Sequence, residues 1–151
     1  MSIEVIVAVV LGSAAIIEDL KRRTISNWIP VAAFVAGVVC QFMDKGWLGI
    51  GAAALGSLAG FGVFLVFYLL GGMGGGDVKL MAGFGALLGA SRLLEAALWT
   101  AGIGGLMALG LIAFNWLRAR TRGVEYISPK TIPYAPAIAF GVWLALLPKG
   151  S

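Results

Sequence analysis

Six apolar stretches follow one another along this chain, and they restrict what it can fold into more than any other feature. They fall at about 3–17, 27–43, 47–70, 78–91, 96–117 and 133–147. A transmembrane helix needs about 20 mostly apolar residues, and most of these stretches approach that length. With 60% hydrophobic and 12% charged residues, a chain of 151 residues cannot bury this surface in a water-soluble globule. The sequence therefore predicts an all-α, polytopic integral membrane protein with about six spans, and it predicts one membrane domain over residues 1–151.

The lysines and arginines predict the orientation of these spans. If the N-terminus lies outside the cell, eight of the eleven basic residues fall on the cytoplasmic side, as is typical of membrane proteins. The N-terminus lacks the basic region of a cleavable signal peptide, so we expect the first helix to be retained. The excess of basic residues on the cytoplasmic side and contact with anionic lipid account for the net charge of +4, and nucleic acid is not a predicted partner.

The predicted orientation also sorts the seven acidic residues. Glu4, Asp44 and Glu95 fall on the outer side. The cytoplasmic side holds Glu18, Asp19, Asp77 and Glu125. Only residues on one side of the bilayer can share a site, so a site that includes Asp77 must draw on the second group.

Asp77 is the strongest candidate for a functional residue. It follows the run Gly71-Gly-Met-Gly-Gly-Gly76 between two apolar stretches, and an ionisable residue inside a bilayer costs roughly 2.5–3.5 kcal/mol on insertion scales. The glycines at positions 71–76 can adopt backbone angles closed to other residues and let a substrate strand approach, and we expect Gly74 and Gly76 to shape this loop. The alternative interpretation is that Asp77 only caps the helix that follows.

Asp19 is the predicted partner of Asp77. Adjacent helical residues point about 100° apart, so Glu18 and Asp19 cannot both face one partner. Two carboxyl groups within about 3 Å cannot both ionise easily, so one keeps its proton. The ionised group can then activate a water while the protonated group donates to the developing oxyanion and leaving group, which is aspartic protease chemistry.

The residues that are absent narrow the chemistry further. The chain has no histidine and a single cysteine, Cys40, which excludes Cys/His zinc sites and Ser-His or Cys-His nucleophiles. We predict neither a metal nor a cofactor.

Two polar neighbours of these segments have simpler interpretations. Lys79 points about 200° away from Asp77 around a helix, so we interpret it first as a topology determinant, with a direct role at the site as the alternative. Asn27 is predicted to cap the second helix. The pairs Gly56/Gly60 and Gly85/Gly89 have the spacing that lets membrane helices pack closely.

Three segments together carry a resemblance to the type IV prepilin peptidases, the membrane aspartic proteases with a GxGD signature. Gly74-Gly75-Gly76-Asp77-Val78-Lys79 resembles their GxGDxK motif. The segment from Asp19 to Trp28 resembles their first-aspartate segment, and the segment from Ile132 to Gly141 is similar to the start of their last helix. The short form that serves tight-adherence (Flp) pili is the most similar in form.

The resemblance implies an activity as well as a fold. It implies that the chain removes the basic leader of a prepilin, typically after a glycine, at the cytoplasmic face of the bacterial inner membrane, with Asp19 and Asp77 as the catalytic pair. The prepilin and membrane lipid are the implied partners. Larger family members place a cysteine-bearing domain between their first helices and also methylate the new N-terminus. This sequence has no such insertion, so methyltransferase activity is not implied.

Other functions are compatible with the same two carboxylates. An archaeal preflagellin peptidase would share the pair and much of the topology. A small transporter subunit could use Asp19 and Asp77 to bind a cation or relay protons, but it predicts inverted repeats, which the sequence does not show. A non-catalytic scaffold would leave the two carboxylates unexplained. The particular substrate and the oligomeric state stay open at this point.

Overall fold

The computed structural model describes residues 2–122 and 132–148, and every regular element among them is a helix. The five helices are α1 (Ile3–Arg22), α2 (Trp28–Lys45), α3 (Trp47–Leu69), α4 (Gly75–Arg122) and α5 (Ala135–Leu146). Of these, α2, α3 and α4 are long and apolar enough to cross a membrane. The all-α prediction is confirmed, while the count of about six spans stays a prediction.

Helix α4 is broken at Gly89, which has φ 67° and ψ 168°. This backbone conformation favours glycine, and it falls near the end of the apolar stretch predicted at 78–91, before the gap that separates this stretch from the one at 96–117. A Cβ atom on Gly60 of α3 would lie 2.6 Å from the Met81 carbonyl oxygen and 3.4 Å from Leu93 Cδ1. Residues before and after the break therefore lie at the same level of α3, so the chain reverses at Gly89 and the two halves of α4 form a hairpin.

Gln41 of α2 stabilises this reversal. Its side chain is buried, and Nε2 donates a hydrogen bond of 3.2 Å to the carbonyl oxygen of Leu87. Lys45 Nζ donates to Gln41 Oε1 at 3.2 Å. The last carbonyl groups of a helix have no partner within the helix, so Gln41 supplies one at the end of the first half of α4.

The first half of α4 lies at the centre of the bundle, packed directly against the backbones of α2 and α3. A Cβ atom on Gly56 would overlap the carbonyl oxygen of Gly85, and a Cβ atom on Gly85 would overlap that of Gly56. Gly37 of α2 faces the backbone of Leu87 in the same way. The predicted packing role of Gly56, Gly60 and Gly85 is therefore confirmed, and this contact fixes the helix that begins near Asp77.

Helix α5 packs against both α1 and the second half of α4. Its Gly141 lies against Ala96 and Thr100 in the second half of α4. Its Trp143 donates a hydrogen bond of 2.9 Å from Nε1 to the Ala8 carbonyl oxygen of α1. Helix α5 therefore links α1 to α4.

The end of the bundle near Gly89 holds the acidic residues that the sequence places on the outer side. Arg92 Nη1 and Glu4 Oε2 form a salt bridge of 3.3 Å. Glu4, Asp44 and Glu95 line one cavity there with Arg92. Asp19 and Asp77 lie at the opposite end of the same helices. Which side of the membrane each end faces stays a prediction.

Candidate active site

Asp19 and Asp77 line one cavity of about 280 Å³, although 57 residues separate them in sequence. Asp19 lies in the last turn of α1 and Asp77 in the first turn of α4. Their exposed fractions are 7% and 6%. The structure therefore brings the two predicted residues together in a buried polar site.

Asp19 is held by groups from two directions. Arg23 has φ 56° and ends α1, and its backbone N–H donates to the Asp19 carbonyl oxygen at 2.9 Å. The Asp19 side chain accepts a hydrogen bond of 3.1 Å at Oδ2 from the backbone N–H of Ala135. This N–H belongs to the first turn of α5, where backbone donors have no partner within the helix and favour a negative charge.

Sequence reasoning missed the contribution of Ala135, although a signal for it exists. Pro136 lies in the first turn of α5 and is typical of a helix start. A helix start offers unpaired N–H groups, but the sequence does not show that they face Asp19. Only the packing of α5 against α1 makes that contact.

Asp77 makes the hydrogen bond of a residue inside a helix start rather than that of an N-cap. It is the third residue of α4, and its Oδ2 accepts a bond of 3.1 Å from the backbone N–H of Gly74. An acidic residue at the third helical position often reaches back to the N-cap N–H in this way. The interpretation of Asp77 as an N-cap is therefore wrong in position, and the observed bond leaves Asp77 on the cavity wall.

The unusual backbone angles expected of the glycine run are found at Gly71, which has φ 78°, and not at Gly74 or Gly76. What these two glycines provide is space. A Cβ atom on Gly74 would lie 3.4 Å from Asp77 Oδ2, and one on Gly76 would lie 3.4 Å from Ile25 Cβ. They keep the wall beside Asp77 free and let α4 begin close to the loop that follows α1.

Lys79 and Asn27 close one side of the cavity. Lys79 Nζ donates a hydrogen bond of 3.2 Å to Asn27 Oδ1, and both residues line the cavity. Asn27 stands directly before α2 but makes no side-chain capping bond, so the capping prediction is wrong. The amide is bonded to Lys79 instead, which connects the loop between α1 and α2 to α4.

Glu18 faces away from Asp19 and Asp77, as expected because adjacent helical residues point about 100° apart. Its carboxylate accepts hydrogen bonds from the Ser26 backbone N–H at 2.8 Å and from Ser26 Oγ at 3.0 Å. Glu18 lies beyond the apolar stretch 3–17, and these bonds hold the pKa of its carboxyl below its ordinary value of 4.5. Glu125, the remaining acidic candidate, lies outside the described residues.

The arrangement suits water activation by two carboxyl groups. A cavity of this size holds several waters next to both side chains. Among the residues that the structure describes, no group of three or more His, Cys, Asp and Glu side chains could hold a metal ion. Two carboxyl groups beside water can exchange protons with that water or with a bound substrate.

Comparison with known proteins gives a consistent pattern. Residues 5–109, which include both Asp19 and Asp77, match the model of the type IV leader peptidase family. The chain is 33% identical over 155 residues to a prepilin leader peptidase/N-methyltransferase of Bacillus subtilis (strain 168), covering 97% of this chain and 57% of that protein. It is 29% identical over 136 residues to the protein of the same name in Aeromonas hydrophila, covering 85% of this chain and 43% of that protein. The chain thus spans about half the length of the curated relatives it matches, and no solved structure matches it.

Proposed function

The chain belongs to the type IV leader peptidase family, and from this premise we propose that it is a membrane aspartic endopeptidase that removes the N-terminal leader of type IV prepilin-like precursors. The proposed precursors are of the tight-adherence (Flp) type. The observation that carries the proposal is the shared cavity in which Asp19 and Asp77 stand as buried carboxyl groups from two different helices.

The proposed topology has six spans in the bacterial inner membrane, with the N-terminus outside. It counts the two halves of α4 separately because the chain reverses at Gly89. The cavity end then faces the cytoplasm, in agreement with the predominance of basic residues in the segments at that end. A leader made in the cytoplasm would reach the two carboxyl groups from this side.

In the proposed mechanism, one carboxyl group is ionised and the other is protonated, since two adjacent carboxylates repel each other. The ionised group takes a proton from a water, the water attacks the peptide carbonyl, and the protonated group donates to the developing oxyanion and leaving amine. The backbone N–H groups of Ala135 and Gly74 each bond Oδ2 of one aspartate and so fix its orientation. The mechanism uses Oδ1 of each for the proton transfers.

We do not extend the methyltransferase part of the relatives' name to this chain. The resemblance stated above implies that the methylating members place a cysteine-bearing domain between their first helices. Here α1 ends at Arg22 and α2 begins at Trp28, so the connection is a short loop. That loop lines the cavity instead, through Arg23, Ile25 and Asn27.

A leader-removal assay tests the proposal. Membranes that contain the chain and a candidate Flp-type prepilin are compared with membranes that contain Asp19→Asn or Asp77→Asn at matched expression. Removing a general acid or base typically lowers the rate by about 10²–10⁴-fold, so we expect each variant to show no visible cleavage. Glu18→Gln is the matched control, because it neutralises the neighbouring carboxylate of the same helix, which bonds Ser26 and not the cavity.

Two results would contradict the proposal. Normal cleavage by either aspartate variant would refute the two-aspartate mechanism. An unaltered chain that cleaves a preflagellin and no prepilin would refute the substrate class and leave the mechanism standing.

A further inference from the structure

A groove on the outside of the bundle begins where the catalytic cavity ends. It has a volume of about 370 Å³ and lies between α2, α3 and α4. Lys79 and Asn27 line both the groove and the catalytic cavity. The two spaces are therefore neighbours that share the hydrogen-bonded Lys79 and Asn27 side chains as a boundary.

Beyond this boundary the groove is almost entirely apolar. Ser57 is the one further polar residue among those described along it. Val31, Phe34 and Phe61 form its sides and remain 59%, 41% and 43% exposed. Side chains this exposed on membrane helices face lipid, so the groove is open sideways to the bilayer.

The floor of the groove is closed by a direct contact between helices. A Cβ atom on Gly83 of α4 would lie 2.5 Å from the Pro30 carbonyl oxygen of α2. Ala82 lies beside it on the groove surface. Small residues along the floor allow an apolar chain to lie close to the backbone of α4.

The direction of the groove relates it to the active site. Helices α2 and α4 both begin at the cavity end, and the groove extends from Asn27 to Phe34 along one and from Lys79 to Gly83 along the other. At 1.5 Å per residue, these segments run roughly 6–10 Å away from the carboxyl groups and into the apolar part of the bundle. A chain that follows this route passes from a polar cavity into an apolar, lipid-facing groove.

We propose that this groove binds the apolar helical segment of the substrate that adjoins the cleaved peptide bond. The proposal rests on the proposed function and adds a binding site outside the two carboxyl groups. Its basis is continuity, because a substrate that occupies both spaces has to be polar at the cavity and apolar beyond Lys79. A membrane-anchored precursor with a basic leader followed by an apolar helix has this order. Lys79 and Asn27 act as positioning residues at the junction.

Photo-crosslinking tests the contact directly. Benzoyl-phenylalanine replaces Phe61 in the Asp77→Asn background, which retains the uncleaved substrate. The probe is a precursor with a basic leader, a glycine at the cleavage position and an apolar helix of about 20 residues, the length that spans a bilayer. Leu55, on another face of α3 and 62% exposed, is the matched control position. We expect crosslinking to the precursor from position 61 and not from position 55. Crosslinking only to lipid from position 61, or equal crosslinking from both positions, would overturn the proposal.

A second variant tests the consequence for cleavage. Ala82→Phe places a large side chain in the groove, and Ala113→Phe makes the same change at an exposed position in the second half of α4, away from the groove. Two probes are compared, the precursor above and a soluble peptide with the same leader and cleavage site but no apolar helix. In Ala82→Phe, the ratio of kcat/KM for the precursor to that for the peptide should fall about tenfold or more, which corresponds to about 1.4 kcal/mol.

The outcomes separate this proposal from the proposed function. An unaltered protein that cleaves neither probe would refute the proposed function. An unaltered protein that cleaves both, with an unchanged ratio in Ala82→Phe, would refute the groove and leave the function standing. A fall of the ratio in Ala113→Phe as well would also count against the groove, since the effect would not be local.

Discussion

Replacing Gly56 with alanine tests whether backbone contact between α3 and α4 holds the active-site helix in place. The Cβ atom of Gly56→Ala would overlap the carbonyl oxygen of Gly85, which cannot rotate away as a side chain can. Gly62 lies in the same helix six residues later, and a Cβ atom there would meet nothing within 4 Å. The pair of variants therefore differs in crowding alone.

The magnitude follows from two opposing terms. Alanine favours a helix over glycine by about 0.8–1.0 kcal/mol, and this gain applies equally at both positions. Overpacking of a well-filled interface costs typically about 1–3 kcal/mol. The helix term cancels in the comparison, so Gly56→Ala should be about 1–3 kcal/mol less stable than Gly62→Ala, toward the upper end because the contact is with backbone.

The assay is reversible unfolding of both variants and the unaltered protein in the same detergent micelles, followed by far-UV circular dichroism. Leader removal is measured in parallel, because Gly85 lies eight residues after Asp77 in the same half of α4. We expect Gly56→Ala to lose both stability and cleavage relative to Gly62→Ala. Equal stability of the two variants would refute the close contact between α3 and α4.

Three further predictions concern single side chains. Gln41→Leu removes the donor to a backbone carbonyl of α4, and a buried carbonyl left unpaired costs about 1–3 kcal/mol, which thermal unfolding in detergent would show as a lower midpoint. Gly74→Ala places a methyl group 3.4 Å from Asp77 Oδ2. The methyl group fits there at ordinary contact distance but takes up cavity space beside Asp77 that a correctly placed water or substrate needs, so cleavage should fall roughly tenfold or more while the unfolding midpoint stays equal or rises. The hydrogen bonds from Ser26 lower the pKa of Glu18, so their contribution to stability is present above the ordinary value of 4.5 and is lost as the pH falls through the lower folded value. As the pH falls below 4.5, the unfolding midpoint of the unaltered protein should therefore drop more than the unfolding midpoint of Glu18→Gln.

The sequence alone predicted those site residues whose type and position in the chain allow few roles. Asp77 in a glycine run between apolar stretches and Asp19 at the end of the first stretch are such residues, because carboxylates are costly near a bilayer. Topology then left few possible partners for Asp77. The geometric argument that separated Glu18 from Asp19 needed only the helical repeat, and the structure confirms it through the bonds from Ser26.

Residues whose roles depend on tertiary contacts could not be predicted. Asn27 has the sequence signature of a cap, but Lys79 of α4 comes close enough to bond its amide instead. The position of Gly74 suggested an unusual backbone angle, whereas its value lies in the space beside Asp77. Ala135 contributes only its backbone N–H, which no side-chain pattern can reveal.

The break of α4 shows the same limit for the fold. The pattern of apolar residues predicted two helices there, but the turn was expected between 91 and 96, where Arg92 and Glu95 interrupt the apolar run. The turn lies at Gly89 instead, because the left-handed conformation requires glycine and because Gln41 is positioned to bond the carbonyl just before it. A polar residue in the sequence marks a possible helix end, whereas the backbone partner decides where the helix ends.

The geometry of the two aspartates depends on α5 more than on direct packing between their own helices. Helix α1 packs mainly on α5 and α2 and touches α4 little, so Asp19 and Asp77 belong to elements that are only weakly joined to each other. Helix α5 bridges them, since its first N–H bonds Asp19 while its Gly141 packs on Ala96 and Thr100 of α4. Because α5 packs closely on α4, it sets the position of Asp19 relative to Asp77. Each carboxyl group therefore has its own support, the Ala135 backbone N–H of α5 for Asp19 and the Gly74 backbone N–H for Asp77.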